Sequence, residues 1–183
     1  MALSHAILTA LIEDELSGYD LAKAFETSLG IFWQASHQQI YQELRKLTEK
    51  GLLSKRQVEQ NGRPNKILYG ITVQGRGALD SWVFQTAKTQ PRKDELMLKF
   101  YSLNKSNVAH LALEVERRRE QVMQRLYLYE KLRRGDYSKP EELPLRRKGV
   151  YLALMAGMSE GQYFLQWCDM ALNMLRTVEE GDG

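Results

Sequence analysis

The chain has 183 residues, 26 basic against 23 acidic for a formal net charge of +3, 43% hydrophobic residues and one cysteine. That composition supports one or two modest domains with a real core and excludes a disordered chain. The lone Cys168 excludes an intramolecular disulfide framework and a cysteine-based zinc knuckle, and it suits a reducing compartment.

The longest uncharged stretches near apolar clusters, Met1–Ile12 and Gly149–Ser159, fall well short of the roughly 18–20 residues of a membrane helix. No basic stretch precedes the N-terminal apolar run, so no secretory signal and a cytoplasmic location, without a membrane partner, are expected. Charge is unevenly placed. Residues 1–32 carry one basic and five acidic residues, net −4, and residues 33–76 carry eight basic and three acidic, net +5. A basic block of this kind hints at a polyanion-facing surface, although such runs are usually solvated faces.

Leu3, Ile7, Leu8 and Leu11 recur at helical spacing and predict a first helix over 3–13. Ser17-Gly18 breaks that run. Ser17 then caps a second helix, with Asp20 as an acidic partner in its first turn, running to about Leu29 and ended by Gly30. Ser36-His37-Gln38-Gln39 has the spacing of a capping box and opens a third helix, with Ile40, Leu44 and Leu47 as a narrow apolar stripe and Gly51 as its end. Leu52–Val58 and Asn65–Ile71 are short extended runs joined through Asn61-Gly62, a strong hairpin signal. Ile67, Tyr69 and Ile71 are expected to alternate inward. Thr72 is the expected cap of a fourth helix through Leu79, Trp82 and Val83.

The remainder is helical. Polar 85–93 with Pro91 reads as a linker, followed by a short helix over 94–103. Two long helices are expected over 106–134 and 150–179, joined by a loop with Pro140 and Pro144, as an antiparallel pair. Val150, Leu154, Gly157, Gly161, Phe164, Cys168, Ala171, Leu175 and Val178 step by alternating fours and threes, a coiled-coil-like seam. Val108, Ala112, Val115, Val122, Leu126 and Tyr129 answer it on the other helix, with Arg119 interrupting. The seam residues Val115, Val122, Leu126, Leu154, Gly157, Gly161, Phe164, Cys168 and Leu175 are assigned to a dimer interface; packing of the two helices within one chain is the alternative. The expected domains are therefore 1–84, a linker 85–93, and 94–183. The fold class is mainly α: a three-helix unit with a two-stranded wing and a following helix, then an antiparallel long-helix pair.

Function is carried by the third helix. At ~100° per residue, Ile40, Leu44 and Leu47 fall on one side, and Gln38, Tyr41, Gln42, Arg45 and Glu49 on the other. Gln amides bond adenine and Arg bonds guanine bidentately in the major groove. A short helix, a break and this helix fit a helix-turn-helix. The hairpin beside it carries Lys55, Arg56, Arg63 and Lys66, with Asn61 at its tip, as a wing whose cations would hold phosphates. The competing explanation is an edge hairpin whose cations block strand aggregation.

The order and residues resemble the PadR family of transcriptional regulators over nearly the whole chain. The resemblance rests on Ser17-Gly18-Tyr19-Asp20-Leu21, on the run Gln39 to Leu47 with Gly51-Leu52-Leu53, on Arg63-Pro64-Asn65-Lys66 with Tyr69 and Thr72, and on Gly75-Arg76 with Trp82. The C-terminal part, opening with the run Asp94 to Phe100, resembles the larger subgroup, whose helical domain dimerises and receives effectors. The family implies DNA contacts from Tyr19, Ser36, Gln38, Gln39, Tyr41, Arg63 and Lys66; the wheel independently supports Gln38, Tyr41 and Arg45. Gln42 stands where the family more often has a proline.

The expected function is a sequence-specific regulator, a repressor, that binds a pseudo-palindromic double-stranded operator as a homodimer under a small effector. The alternative is a winged-helix interaction module that has lost specific DNA binding. Phe32, Trp33, Phe100, Tyr101, Tyr163, Phe164 and Trp167 are weighed as an aromatic effector pocket against ordinary core. No cofactor, metal or catalytic role is expected, because His5, His37 and His110 are scattered and no nucleophile elbow, phosphate loop or metal-spaced pair occurs.

Overall fold

Nine residues at the start, Ala2–Ala10, form α1, with Ile7, Leu8 and Leu11 buried. The helix stops earlier than its apolar spacing predicts. Glu13, Asp14 and Glu15 follow, and three carboxylates are unfavourable at the negative end of a helix dipole. Arg76 donates to the Ile12 carbonyl at 2.8 Å and closes that end. The computed structural model describes residues 2–26, 33–59, 65–87 and 93–180, and the chain divides into two compact units, Met1–Thr89 and Gln90–Gly183.

In the first unit a two-residue strand, β1 (Leu16–Ser17), leads into α2 (Gly18–Glu26). Ser17 caps α2 as its spacing predicts: the Asp20 amide donates to Ser17 Oγ at 3.1 Å, and Ser17 Oγ donates to Asp20 Oδ2 at 2.8 Å. The capping box at Ser36 is likewise formed, and α3 runs His37–Glu49. Gly51, with φ of 69°, turns the chain out of α3 through the left-handed region that favours glycine. Strands β2 (Leu53–Val58) and β3 (Lys66–Ile71) pair antiparallel, and β1 adds to β3, giving the order β1-β3-β2. The wing is thus part of a three-stranded sheet rather than a two-stranded hairpin. The hairpin tip, with Asn61 and Arg63, lies outside the described residues, as does the expected end of α2 at Gly30.

Thr72 caps α4 (Val73–Val83), accepting from the Gly75 amide and donating to the Gly51 carbonyl at 2.7 Å. A Cβ at Gly75 would collide with the Leu52 carbonyl, so α4 can pass the end of β2 only with glycine there. Leu21, Ala22, Phe25, Ile40, Leu44, Leu47, Leu53 and Leu79 join the α1 residues in one core. Tyr69 and Ile71 pack against it as predicted, but Ile67 is 46% exposed because it lies near the free end of the hairpin, past the helices.

In the second unit Asp94 caps α5 (Glu95–Phe100) and takes both of its carboxylate oxygens to Arg118 at 2.7 and 2.9 Å. Helices α6 (Val108–Gly135) and α7 (Leu145–Glu180) are joined through a single 3-10 turn, Pro140–Glu142. Helix α7 begins right after Pro144, so Gly149 stands inside it rather than in the loop; proline suits the residue just before a helix and one glycine does not break a long one. Leu96, Leu111, Val115, Cys168 and Leu172 form the core there, with Phe100, Phe164 and Trp167 against it. Among the described residues no helix is long and apolar enough to cross a membrane.

The seam residues close the pair within one chain. Val115, Val122, Leu154, Cys168 and Leu175 are at most 7% exposed, and Leu126 lies over Gly161, where a Cβ would meet it at 2.9 Å. Gly157 and Phe164 are half-buried. Within one chain they thus take the alternative arrangement, packing between α6 and α7. Two antiparallel helices joined by a short loop meet each other first, at high effective concentration, and take up the stripe. Arg119, the interruption in that stripe, reaches Asp169 across the pair at 2.8 Å.

Candidate nucleic-acid interface

The outward face of α3 follows from the burial of its inner one. Ile40, Leu44 and Leu47 are at most 2% exposed, which forces Gln38, Gln39, Tyr41, Gln42, Arg45 and Glu49 outward on a 3.6-residue repeat. Ser36 and Gln39 are partly engaged. The Gln39 amide donates to Ser36 Oγ at 3.2 Å, and the Ser36 amide donates to Gln39 Oε1 at 2.9 Å. Gln39 therefore presents its NH2 rather than its carbonyl. Arg45 is well exposed and holds Glu49 one turn on at 3.0 Å, an exposed pair of small strength.

Tyr41 rests on the start of α2. A Cβ at Gly18 would collide with its ring, so the Ser17-Gly18 break seats this tyrosine as well as starting a helix. Ser17, Gly18, Tyr19, Tyr41, Asn65, Lys66, Ile67 and Tyr69 line an open cleft of about 390 Å3 between α2, α3 and β3. Tyr19 is 66% and Tyr41 48% exposed at its mouth. Burial, and secondarily the nearby Tyr41 hydroxyl, push the Tyr69 phenol up. Lys66 Nζ holds Asp20 Oδ2 at 2.8 Å. That bond, followed by the one from Ser17, keeps the Asp20 carboxyl below the usual carboxylate range.

The wing cations divide. Lys55 stands opposite Tyr69 and Arg56 opposite Leu68, so the two lie on opposite faces of the sheet. Lys55 is exposed on the face whose Tyr69 and Ile71 meet the core. Arg56 is tied on the other face to Glu15 at 2.6 Å, joining β2 to the segment before β1. Neighbouring residues of one strand turn to opposite sides, so Lys55 lies on the core side of the sheet and Arg56, paired with Glu15, on the other. Gly18 and Asp20 are the members of this site that sequence reasoning assigned only to helix initiation. The clue that Gly18 also makes room for an aromatic ring was not available locally, since Tyr41 is 23 residues away.

The aromatics weighed as an effector pocket against ordinary core divide between core and surface. Phe100 and Phe164 stack about Trp167 at 5.7 and 5.3 Å between centroids, as core, while Tyr101 and Tyr163 are 91% and 71% exposed. Trp33 belongs to the first unit, and Phe32 lies outside the described residues. The larger depression of the second unit, about 640 Å3 along α6 and α7, is lined instead by charged residues, including Arg117, Arg119, Glu120, Asp169 and Arg176.

An exposed helix bearing amides and a guanidinium, beside hydroxyls and an ammonium, has the chemistry to read base edges and hold phosphates. Comparison with known proteins agrees with it. Residues 7–81 match the transcriptional regulator PadR-like family, and residues 92–176 match the virulence activator alpha C-terminal family. A probable transcriptional regulator of Mycobacterium tuberculosis is 31% identical, covering 96% of this chain and 98% of that one. The negative transcriptional regulator PadR of Bacillus subtilis is 33% identical over 94% of this chain and 97% of its own. Its structure with operator DNA superposes with a TM-score of 0.80, at 32% identity and 94% and 97% coverage. The same protein has been solved with p-coumaric acid, at a TM-score of 0.66, 30% identity and 96% and 99% coverage. The Vibrio cholerae virulence activator AphA gives 0.76, at 30% identity and 96% and 99% coverage. The chain is a member of the PadR-like family of transcriptional regulators.

Proposed function

We propose that residues 1–84 form a head that reads double-stranded DNA with α3 in the major groove, and that residues 94–183 form a dimerisation and effector domain. One observation carries the reading. The face of α3 holding Gln38, Tyr41, Gln42 and Arg45 is exposed, beside a cleft lined by Tyr19 and Lys66. Gln38, the Gln39 NH2 and Arg45 are assigned to base edges. Tyr19, Tyr41, Lys55, Lys66 and the Ser36 end of α3 are assigned to phosphates, together with Asn61 and Arg63 of the wing tip.

The protein acts as a homodimer on a pseudo-palindromic operator, with half-sites about 34 Å apart or a multiple of it. The outer side of α7 supports this. Leu152, Ala156, Tyr163, Met170 and Met174 recur on the side opposite the α6-facing seam and are exposed. Repression is the assigned sign, in line with the Bacillus subtilis relative's description as a negative regulator. A small organic effector is assigned to the second domain, in line with that relative's structure with p-coumaric acid. No chemical reaction is assigned, and the working location is the cytoplasm.

The test is selection of bound duplexes from a random-sequence pool. An enriched inverted repeat whose affinity falls by orders of magnitude between about 50 and 200 mM salt is expected. A pool that stays random, with a flat salt response, would leave the fold as an interaction module.

A further inference from the structure

The first unit is close to neutral for a nucleic-acid binder: residues 1–89 hold ten basic and nine acidic residues. The acids are not scattered. Helix α2 carries Asp20 in its first turn and Glu26 at its end, and each reaches to an element of the proposed interface. Asp20 Oδ2 takes Lys66 Nζ of β3 at 2.8 Å, and Glu26 Oε1 meets His37 Nε2, on the first residue of α3, at 2.9 Å. The Asp20 carboxylate is itself fixed by Ser17 Oγ and the Ser17 amide, so it cannot swing away from the cleft without losing both bonds.

A phosphate reaching Lys66 would have to share it with, or take it from, a carboxylate held a few ångströms away. Like charges at that distance repel even through water. The pairs are solvent-exposed enough to exchange, with side chains of Lys66 and Asp20 36% and 38% accessible and of His37 and Glu26 55% and 63%.

We infer that Asp20 and Glu26 are built-in competitors of DNA phosphate: α2 holds Lys66 and His37 in the free head, and binding exchanges these carboxylates for phosphates. The inference rests on the DNA-binding reading above and deepens it. It makes α2 the element that sets the strength and salt dependence of binding without touching base preference, since neither acid lies on the base-reading face of α3.

The experiment uses the full chain with two probes: the duplex that the wild-type protein enriches from a random pool, and the unselected pool itself. Asp20→Asn keeps an oxygen for the Ser17 bonds and removes the charge; Glu26→Gln does the same for His37. Each is expected to tighten binding to both probes about threefold, and the double variant about tenfold, with the salt slope steeper by up to about one per substitution. The enriched sequence stays the same. Lys66→Gln should weaken binding by a larger factor in the Asp20→Asn background than in the wild type, because the lysine no longer has to leave a carboxylate. Thermal melting of each variant confirms the fold, and Glu26→Gln, which touches no cap, carries the test should Asp20→Asn fail to fold. Weaker binding by folded variants would make the acids positioning residues and overturn the inference. So would unchanged affinity and slope. If the wild-type protein enriches no sequence, the DNA-binding reading fails instead.

Discussion

The two halves of the molecule use their helices differently. In the first unit α3 buries one apolar stripe and turns a polar face outward. Ile40, Leu44 and Leu47 go to the core, and Gln38, Tyr41 and Arg45 go to solvent. In the second unit α7 is apolar on two sides. Leu154, Cys168 and Leu175 close against α6, while Leu152, Tyr163 and Met170 remain exposed. A helix apolar on one side is satisfied by its own domain; a helix apolar on two sides is satisfied only by a further neighbour. Helix α3 is therefore satisfied within its own unit and open as a polar surface, whereas α7 keeps a second apolar side for a further neighbour.

The strongest way to break that comparison is to charge the exposed side of α7. Tyr163→Glu with Met170→Glu should convert the dimer to monomer in sedimentation and weaken operator binding about a hundredfold or more, through lost bivalence. An unchanged dimer would move the interface elsewhere. Leu44→Ala should destabilise the first unit by about 2–5 kcal/mol, read by denaturant unfolding, because it empties a fully buried site. A cost near zero would mean that the head is loosely packed. On the polar side of the same helix, Gln38→Ala should relax preference at one base pair by about 1–3 kcal/mol and leave melting unchanged. A uniform loss over all sequences would make Gln38 a phosphate contact.

The smallest effect concerns acid. Because Asp20 is held below the ordinary carboxylate range by Lys66 and then Ser17, its contribution to stability is present above the unfolded carboxyl's pKa and is lost as pH falls through the depressed one. Asp20→Asn should flatten the acid limb of the first unit's stability, measured by melting between about pH 5 and 2. An unchanged limb would show the pair to be broken in solution.

The features legible in the chain are those whose chemistry closes within one turn. The caps at Ser17, Ser36 and Thr72 were readable because their hydrogen bonds join residues three apart. The inner and outer faces of α3 were readable because helical period needs only about a dozen residues to declare itself. The strand β1 was not, since two residues carry no period and its partners, Tyr69 and Leu68, lie some fifty residues on. The wing cations illustrate the boundary. Alternation alone separates Lys55 from Arg56, but only pairing with β3 and the bond to Glu15 decides which of them lies on the core side of the sheet.

Charge shows the same division. The opposite signs of residues 1–32 and 33–76 are plain in the sequence, but that Asp20 meets Lys66 and Glu15 meets Arg56 is a tertiary fact. The sequence by itself determined the order of helices, wing and long-helix pair, the caps that start them and the polar strip of α3, because those depend on neighbours along the chain. The tertiary structure alone decided that the seam of α7 turns to α6, that Gly18 makes room for Tyr41, and which cations stand next to carboxylates. Those outcomes depend on distances between residues far apart in the chain, which no local pattern of side chains encodes.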